Sequence, residues 1–368
     1  MWIFLFLLIP IITAAYLLYK YPKNTTWWEA AVTVIIPMVV VILIKFLSQQ
    51  SLMYSNEYWN SYATEARYYE DWNEEVIEIH YTYDSDGNIS GSYTTTSIDY
   101  HPPYWELHGN CGETANIPES TFNNLKTLWN NNAFVELHRG FYDNDGDLYT
   151  TKWDNIMLHI ETITTMHNYK NKVKSSSSVF GYKKIDKKIT PVIEYNKINN
   201  YSCDFIYNYK NMGDQDYLRR WNAYLGAKKK VVIMIIPYYK GKLEDAFNQE
   251  AYWTGGNKNE FIACIGISSS TINWVHIISW TPLTVLKAQI AREIKEMKTV
   301  NMFKIVEYLG NTIDKTPGFV RKDFEEFNYI SVPVPLWGYI IAGLLSIIVS
   351  FGMAMWVIEN EFNTDGSY

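Results

Sequence analysis

Three apolar runs constrain this chain more than anything else in it. "WIFLFLLIPIITAAYLLY" covers Trp2 to Tyr19 without a charge, and "WWEAAVTVIIPMVVVILIKFL" runs from Trp27 to Leu47 with Glu29 and Lys45 near its ends. The third, "LWGYIIAGLLSIIVSFGMAMWVI", spans Leu336 to Ile358 uncharged. About 20 apolar residues rising 1.5 Å each cross a bilayer core, so each run predicts a transmembrane helix, over residues 1–20, 27–47 and 336–358. Trp27, Trp28, Trp337 and Trp356 fall near the ends, where indole prefers the headgroup layer. Pro37 sits mid-span, where neighbouring helices can satisfy the freed carbonyl. The first run lacks a basic start, and its "TAA" leads into further apolar sequence, which argues against a cleaved signal peptide.

The long segment from Ser48 to Pro335 is polar enough to fold in water, and it carries most of the formal charge of −7. Such an acidic domain has no excess of Lys or Arg to displace phosphate counterions, so nucleic acid is not an expected partner. "KKK" at 228–230 precedes an apolar strand and reads as a solvated strand entry. Lys20 and Lys23 lie in the short loop between the first two spans and favour placing it in the cytoplasm. That puts the soluble region outside, although Lys45, Arg321 and Lys322 pull the other way. The expectation is an integral membrane protein with an extracytoplasmic domain, and the lipid bilayer is its first partner. Cys111, Cys203 and Cys264 are odd in number and do not decide the compartment.

The fold class expected is three transmembrane helices around a large α+β region: a β-rich subdomain, then an α/β sandwich. Residues 48–75 contain no Gly or Pro, and Leu52, Trp59, Tyr62 and Tyr69 recur at loosely helical spacing, predicting a helical stalk. Over 76–165 the pattern alternates and is rich in Tyr, Thr and Ile, which is strand behaviour. Residues 166–214 contain the run "KSSSSVFGYKK" and read as a linker. Over 215–315 the order is α-β-α-β-β-α-α, with "KKKVVIMIIPYY" a strand buried on both faces and Gly226 closing the first helix. Residues 359–368 are a polar tail.

The passage from a helix through "TGGNKNEFIACIGI" to "INWVHIISW" resembles the TPM domain, an α/β module of bacterial envelopes and the thylakoid lumen commonly tethered by transmembrane helices. The resemblance covers residues 215–315. It implies a metal-dependent phosphohydrolase whose metal would sit near Asn257, Asn259 and Glu260, although a hydrolytic two-metal site needs more carboxylates than this turn offers. In composition, rich in Asn, Tyr, Lys and Ile, the chain is similar to membrane proteins of AT-rich bacteria and their phages.

Two Asp-Gly stretches, "TYDSDGNIS" and "FYDNDGDLY", raise calcium as the one cofactor to weigh, with Asp84, Asp86, Asp143, Asp145 and Asp147 as ligands. An EF-hand needs glycine at position 6 and glutamate at 12, and "DNDGDLYTTKWD" departs at both. Asp-Gly between alternating strands predicts instead a type I′ hairpin turn. Neither C-x-x-C nor paired histidines occur, so zinc is not expected. Cys111 would need His101, His108 or His138 brought to it by the fold to act as a nucleophile. With no catalytic constellation in view, the expected function is a membrane-anchored, non-enzymatic interaction or assembly protein. It would present an aromatic-rich surface to a protein partner in the membrane or envelope. The phosphohydrolase is the enzymatic alternative, and a subunit of an oligomeric pore is the third.

Overall fold

The computed structural model describes residues 2–22, 25–129, 134–137, 146–150, 161–319 and 321–360. The chain divides into two compact units, one of residues 1–55, 168–184 and 323–368, the other of residues 56–167 and 185–322. Elements are numbered along the chain.

The first unit holds the apolar helices. A 3₁₀ turn, Trp2–Leu7, runs into α1 (Leu8–Lys20), and α2 (Trp27–Gln50) follows. A capping box starts α2: the Thr26 hydroxyl accepts from the Glu29 amide at 3.3 Å, and the Glu29 carboxylate accepts from the Thr26 amide at 2.7 Å. Glu29 is therefore a start signal for the helix. The C-terminal helix of the chain, Leu336–Asn360, packs with them around Ile3, Val41 and Ala342, and Ser346 Oγ donates to the Phe6 carbonyl at 2.9 Å. Ile12, Val39, Phe46, Ile348 and Phe351 face outward. Three helices of this unit are long and apolar enough to cross a membrane.

Residues 168–184 and 323–332 complete this unit, which corrects the expectation of a linker over 166–214. Phe180 meets Phe327 edge-on at 5.2 Å, and Tyr169 meets Phe324 at 5.6 Å. Asn171 donates to Ser55 and Tyr169 and caps the one-turn helix α4 (Lys172–Ser175). The serine run suggested little to bury, but the aromatic residues on either side of it are what pack.

In the second unit, β1 (Tyr54–Tyr69) lies between β4 (Tyr104–Gly109) and β7 (Gly146–Thr150), both antiparallel to it. The sheet adds β5 (Thr114–Asn116), β6 (Phe134–Leu137) and β8 (Thr162–Lys170). Its core gathers Ala63, Ala66, Leu107 and Ile163 against Phe122 and Leu125 of α3 (Glu119–Leu128). The expected helical stalk is thus a strand. β1 is buried on both faces, at Ser55, Glu57, Tyr58, Asn60, Ser61, Ala63 and Ala66, so it shows no alternation, and most of these residues are small or polar and leave no apolar trace.

β2 (Trp72–Tyr83) and β3 (Ile89–His101) pair only with each other among the described residues. Their loop is not the expected type I′ turn. It has five residues, 84–88, with Gly87 at φ +83°, and Asp84 Oδ1 accepts from the amides of Asp86 and Asn88 at 3.0 and 2.8 Å. In the second Asp-Gly stretch Gly146 opens β7 opposite Leu137, so it is a strand residue and not a turn residue.

The rest of this unit follows the predicted order: α5 (Met212–Lys229), β9 (Val232–Tyr239), α6 (Leu243–Trp253), β10 (Glu260–Ser268), β11 (Thr271–Ile278), α7 (Thr284–Glu296) and α8 (Met302–Lys315). β10 is parallel to β9 and antiparallel to β11. α8 buries Ile305, Val306, Leu309 and Ile313, three and four residues apart. Residues 193–207, expected as linker, are part of this core: Phe205, Ile206 and Tyr207 are buried, and Tyr207 N donates to the Ile235 carbonyl at 2.9 Å. Three buried amides hold the backbone here. Gln215 donates to the carbonyl and accepts from the amide of Ile206 (2.6 and 3.0 Å), and Asn222 does the same at Ile233 (2.9 and 2.8 Å). Gln249 repeats the clamp at Ile193 (2.9 and 2.8 Å).

Gly226 does not end α5; Lys230, left-handed at φ +53°, is the cap. A Cβ at Gly226 would lie 2.2 Å from the carbonyl oxygen of Asn60, so the glycine is what lets helix and strand touch. Gly226→Ala is expected to destabilise the second unit by about 1–3 kcal/mol, although alanine gains ~1 kcal/mol in helix propensity. Denaturant unfolding of the full chain, followed by tryptophan fluorescence, measures it.

Candidate functional site

The turn between α6 and β10 is the most constrained part of the second unit. Thr254, Gly255 and Gly256 all have positive φ, at 53°, 81° and 81°. A Cβ on Gly256 would stand 2.9 Å from Glu260 Oε2, so this position admits only glycine without rearrangement. The turn wraps Glu260, whose side chain is fully enclosed. Its Oε2 accepts from the Asn257 amide (2.7 Å) and the Tyr195 hydroxyl (2.8 Å), and its Oε1 from Asn257 Nδ2 (2.6 Å). Burial pushes the Glu260 carboxyl up to about 7 against these three donors, which pull it down, and the charge of Glu57 adds to the rise.

Glu57 on β1 is buried beside two cations. Its Oε1 accepts from Trp59 Nε1 at 2.8 Å and faces Arg321 Nη1 at 3.3 Å and Lys258 Nζ at 3.4 Å. Asn259 Nδ2 donates to the Tyr58 carbonyl at 2.7 Å, tying the same turn to the same strand. The arrangement brings together four distant parts of the chain, around 57, 195, 258 and 321. No local motif marks Glu57, Tyr195, Lys258 or Arg321, and sequence reasoning missed all four.

Of the residues proposed for a phosphohydrolase metal, Asn257, Asn259 and Glu260 are brought together and all are buried. Both Glu260 oxygens are occupied by Asn257 and Tyr195, so the cluster works as a buried latch between turn and core. Asp84 is engaged with loop amides, and Asp143 and Asp145 lie outside the described residues, as does His138. Asp147 pairs opposite Glu136 in the β6–β7 ladder. Among the described residues no group of three His, Cys, Asp or Glu is placed to hold a metal ion.

A cavity of about 190 Å³ opens near Trp59, Cys111, Glu113, Ala227, Lys230 and Val231. The Cys111 thiol is pushed up by burial and then by Glu113, with Lys230 pulling the other way, so little thiolate forms at neutral pH. Neither His101 nor His108 supplies a base to it: His101 stacks on Trp72 and meets Glu74, and His108 meets Glu106.

No family model, curated protein or solved structure matches this chain. Its own geometry is the guide, and it points away from the latch to the surface of the β2–β3 hairpin. Register places Ile77, Ile79, Tyr81 and Tyr83 of β2 with Ile89, Ile98 and Tyr100 of β3 on one face. All seven are between 52 and 73 % exposed. The opposite face is mixed and carries the charges: Glu74, Glu78, Thr95, Ser97 and Asp99, with His80 bonded to Thr95 at 2.8 Å and stacked on Tyr93, beside Trp72 and Val76.

Glu260 has a measurable signature. Its folded pKa is raised from 4.5 to about 7, so between those values the native state holds a proton that the unfolded state has lost. This contribution to stability is full below pH ~4.5 and is lost as pH rises through ~7, by roughly 3 kcal/mol in all. The melting temperature of Glu260→Gln is expected to fall less than that of the wild type between pH 5 and pH 8. Differential scanning calorimetry of both chains across that range checks it.

Proposed function

We propose that this chain is a membrane-anchored, non-enzymatic interaction protein that presents the apolar face of its β2–β3 hairpin to a protein partner. The single observation that carries the reading is the row of seven exposed Ile and Tyr side chains on a hairpin with no other strand beside it among the described residues. Soluble monomers rarely expose an apolar patch of more than a few hundred Å², and larger ones mark interaction surfaces. Tyrosine suits the task, giving a large contact area with a polar tip. A two-stranded hairpin is marginal in water unless something covers its apolar face. The helices long and apolar enough to cross a membrane supply the anchor. In this reading the second unit lies outside the cytoplasm, supported by Lys20 at the end of α1 and Lys23 three residues further along the sequence.

The test uses the full chain with Cys111 replaced by serine, since Cys203 and Cys264 are buried. Single cysteines are placed at Ile79, on the apolar face, and at Ser97, on the polar face, and membranes of cells making the protein are treated with a maleimide. A covered apolar face is expected to slow labelling of Ile79→Cys by about tenfold relative to Ser97→Cys. Equal rates at the two positions would overturn the reading.

A further inference from the structure

Resting on that reading, we infer that the occupant of the hairpin's apolar face is a second copy of this chain, the two hairpins packing face to face as a four-stranded sandwich. Three properties of the hairpin select this partner.

The first is area. Seven side chains each more than half exposed present on the order of 700 Å² of surface, close to the ~800 Å² that each partner contributes to a stable interface. One apolar face meeting its own copy needs no second complementary surface, which is the condition for a two-fold, self-matching contact.

The second is charge. Between Glu70 and His101 there are eight carboxylates and no lysine or arginine. That balance repels an anionic lipid surface, which draws in basic segments. It is compatible with self-packing because the carboxylates are segregated. Glu74, Glu78 and Asp99 lie on the polar face, and within the strands only Glu75, opposite Ile98, shares the apolar one. Stacking apolar face on apolar face leaves the acidic faces outward in water.

The third is availability. The β2–β3 strands extend over 12 and 13 residues with both outer edges unpaired among the described residues, which is long for an unsupported hairpin. A partner made with the chain and held in the same bilayer is present at high effective concentration from the moment of synthesis.

The test is cross-linking of the purified full chain in liposomes, in the Cys111→Ser background, with single cysteines at Ile77, Ile79 and Tyr81. Packed sheets lie ~10 Å apart, so a bis-maleimide of about that span is the probe. The expected result is a covalent dimer from these three positions and little from Ser97→Cys. Light scattering of the detergent-solubilised chain is expected to give a dimer mass that Ile77→Glu/Ile79→Glu converts to the monomer. Ser97→Glu, on the polar face, serves as the folding control and keeps the dimer. A monomer mass for the wild-type chain, with no cross-link above the Ser97→Cys level, overturns the second copy. If Ile79→Cys then remains protected in cell membranes, a different protein covers the face and the interaction reading stands alone. If it labels as fast as Ser97→Cys, both fall.

Discussion

Buried side-chain amides are what allow the β9–β11 sheet to stop at three strands. An edge strand leaves amides and carbonyls that must find partners when burial excludes water. β9 is buried along most of its length and, among the described residues, has a strand, β10, on one side only. On its other side Asn222 reaches from α5 to bond both polar groups of Ile233, and the irregular segment around Phe205 and Tyr207 takes over at Ile235. That segment is in turn held by Gln215, from the same helix. One helix thereby fixes its own distance from the sheet and the path of an otherwise irregular chain. Each amide both donates to and accepts from the backbone it clamps, which offsets the cost of burying it, whereas losing one would strand a peptide group in an apolar core.

The same accounting separates the two polar features of the second unit. Glu260 is enclosed but has donors on both oxygens, and its high pKa is the residue of a desolvation that these donors only partly offset. Glu57 stands against Lys258 and Arg321, a buried pairing whose Coulomb gain is set against the cost of taking the charges out of water. These groups face one another. The hairpin is the reverse case, with its apolar side chains left exposed by the chain's own fold while His80 bonds across the strands to Thr95.

Much of this was legible in the sequence because it is periodic. The three apolar runs and the α-β-α-β-β-α-α order appear where length and spacing place them, since continuous burial or a helical stripe leaves a plain trace. β1 was misread because it is buried on both faces, and apart from Tyr58 its buried side chains are Ala, Ser, Asn and Glu, which show neither alternation nor an apolar run. The linker was misread because Tyr169 and Phe180 pack as isolated aromatics and Phe205, Ile206 and Tyr207 form a buried run too short to show a repeat. Gly226 was misplaced because a close approach and a helix cap call for the same residue. The alternation of β2 and β3 was plain, but alternation marks an amphipathic face without telling whether anything covers it.

The division of the chain has a consequence for the order of its birth. α2 ends at Gln50 and β1 begins at Tyr54, so the inner strand of the six-stranded sheet is synthesised directly behind an apolar helix. All of the second unit is complete once residue 322 has left the ribosome, while the first unit still lacks its last helix. Each unit needs strands or helices far apart in sequence, and such pairings form slowly. Until Leu336–Asn360 is made, the first two helices have no third to close around Ile3 and Val41. The unit of apolar helices is therefore started before the second unit and closed only after it.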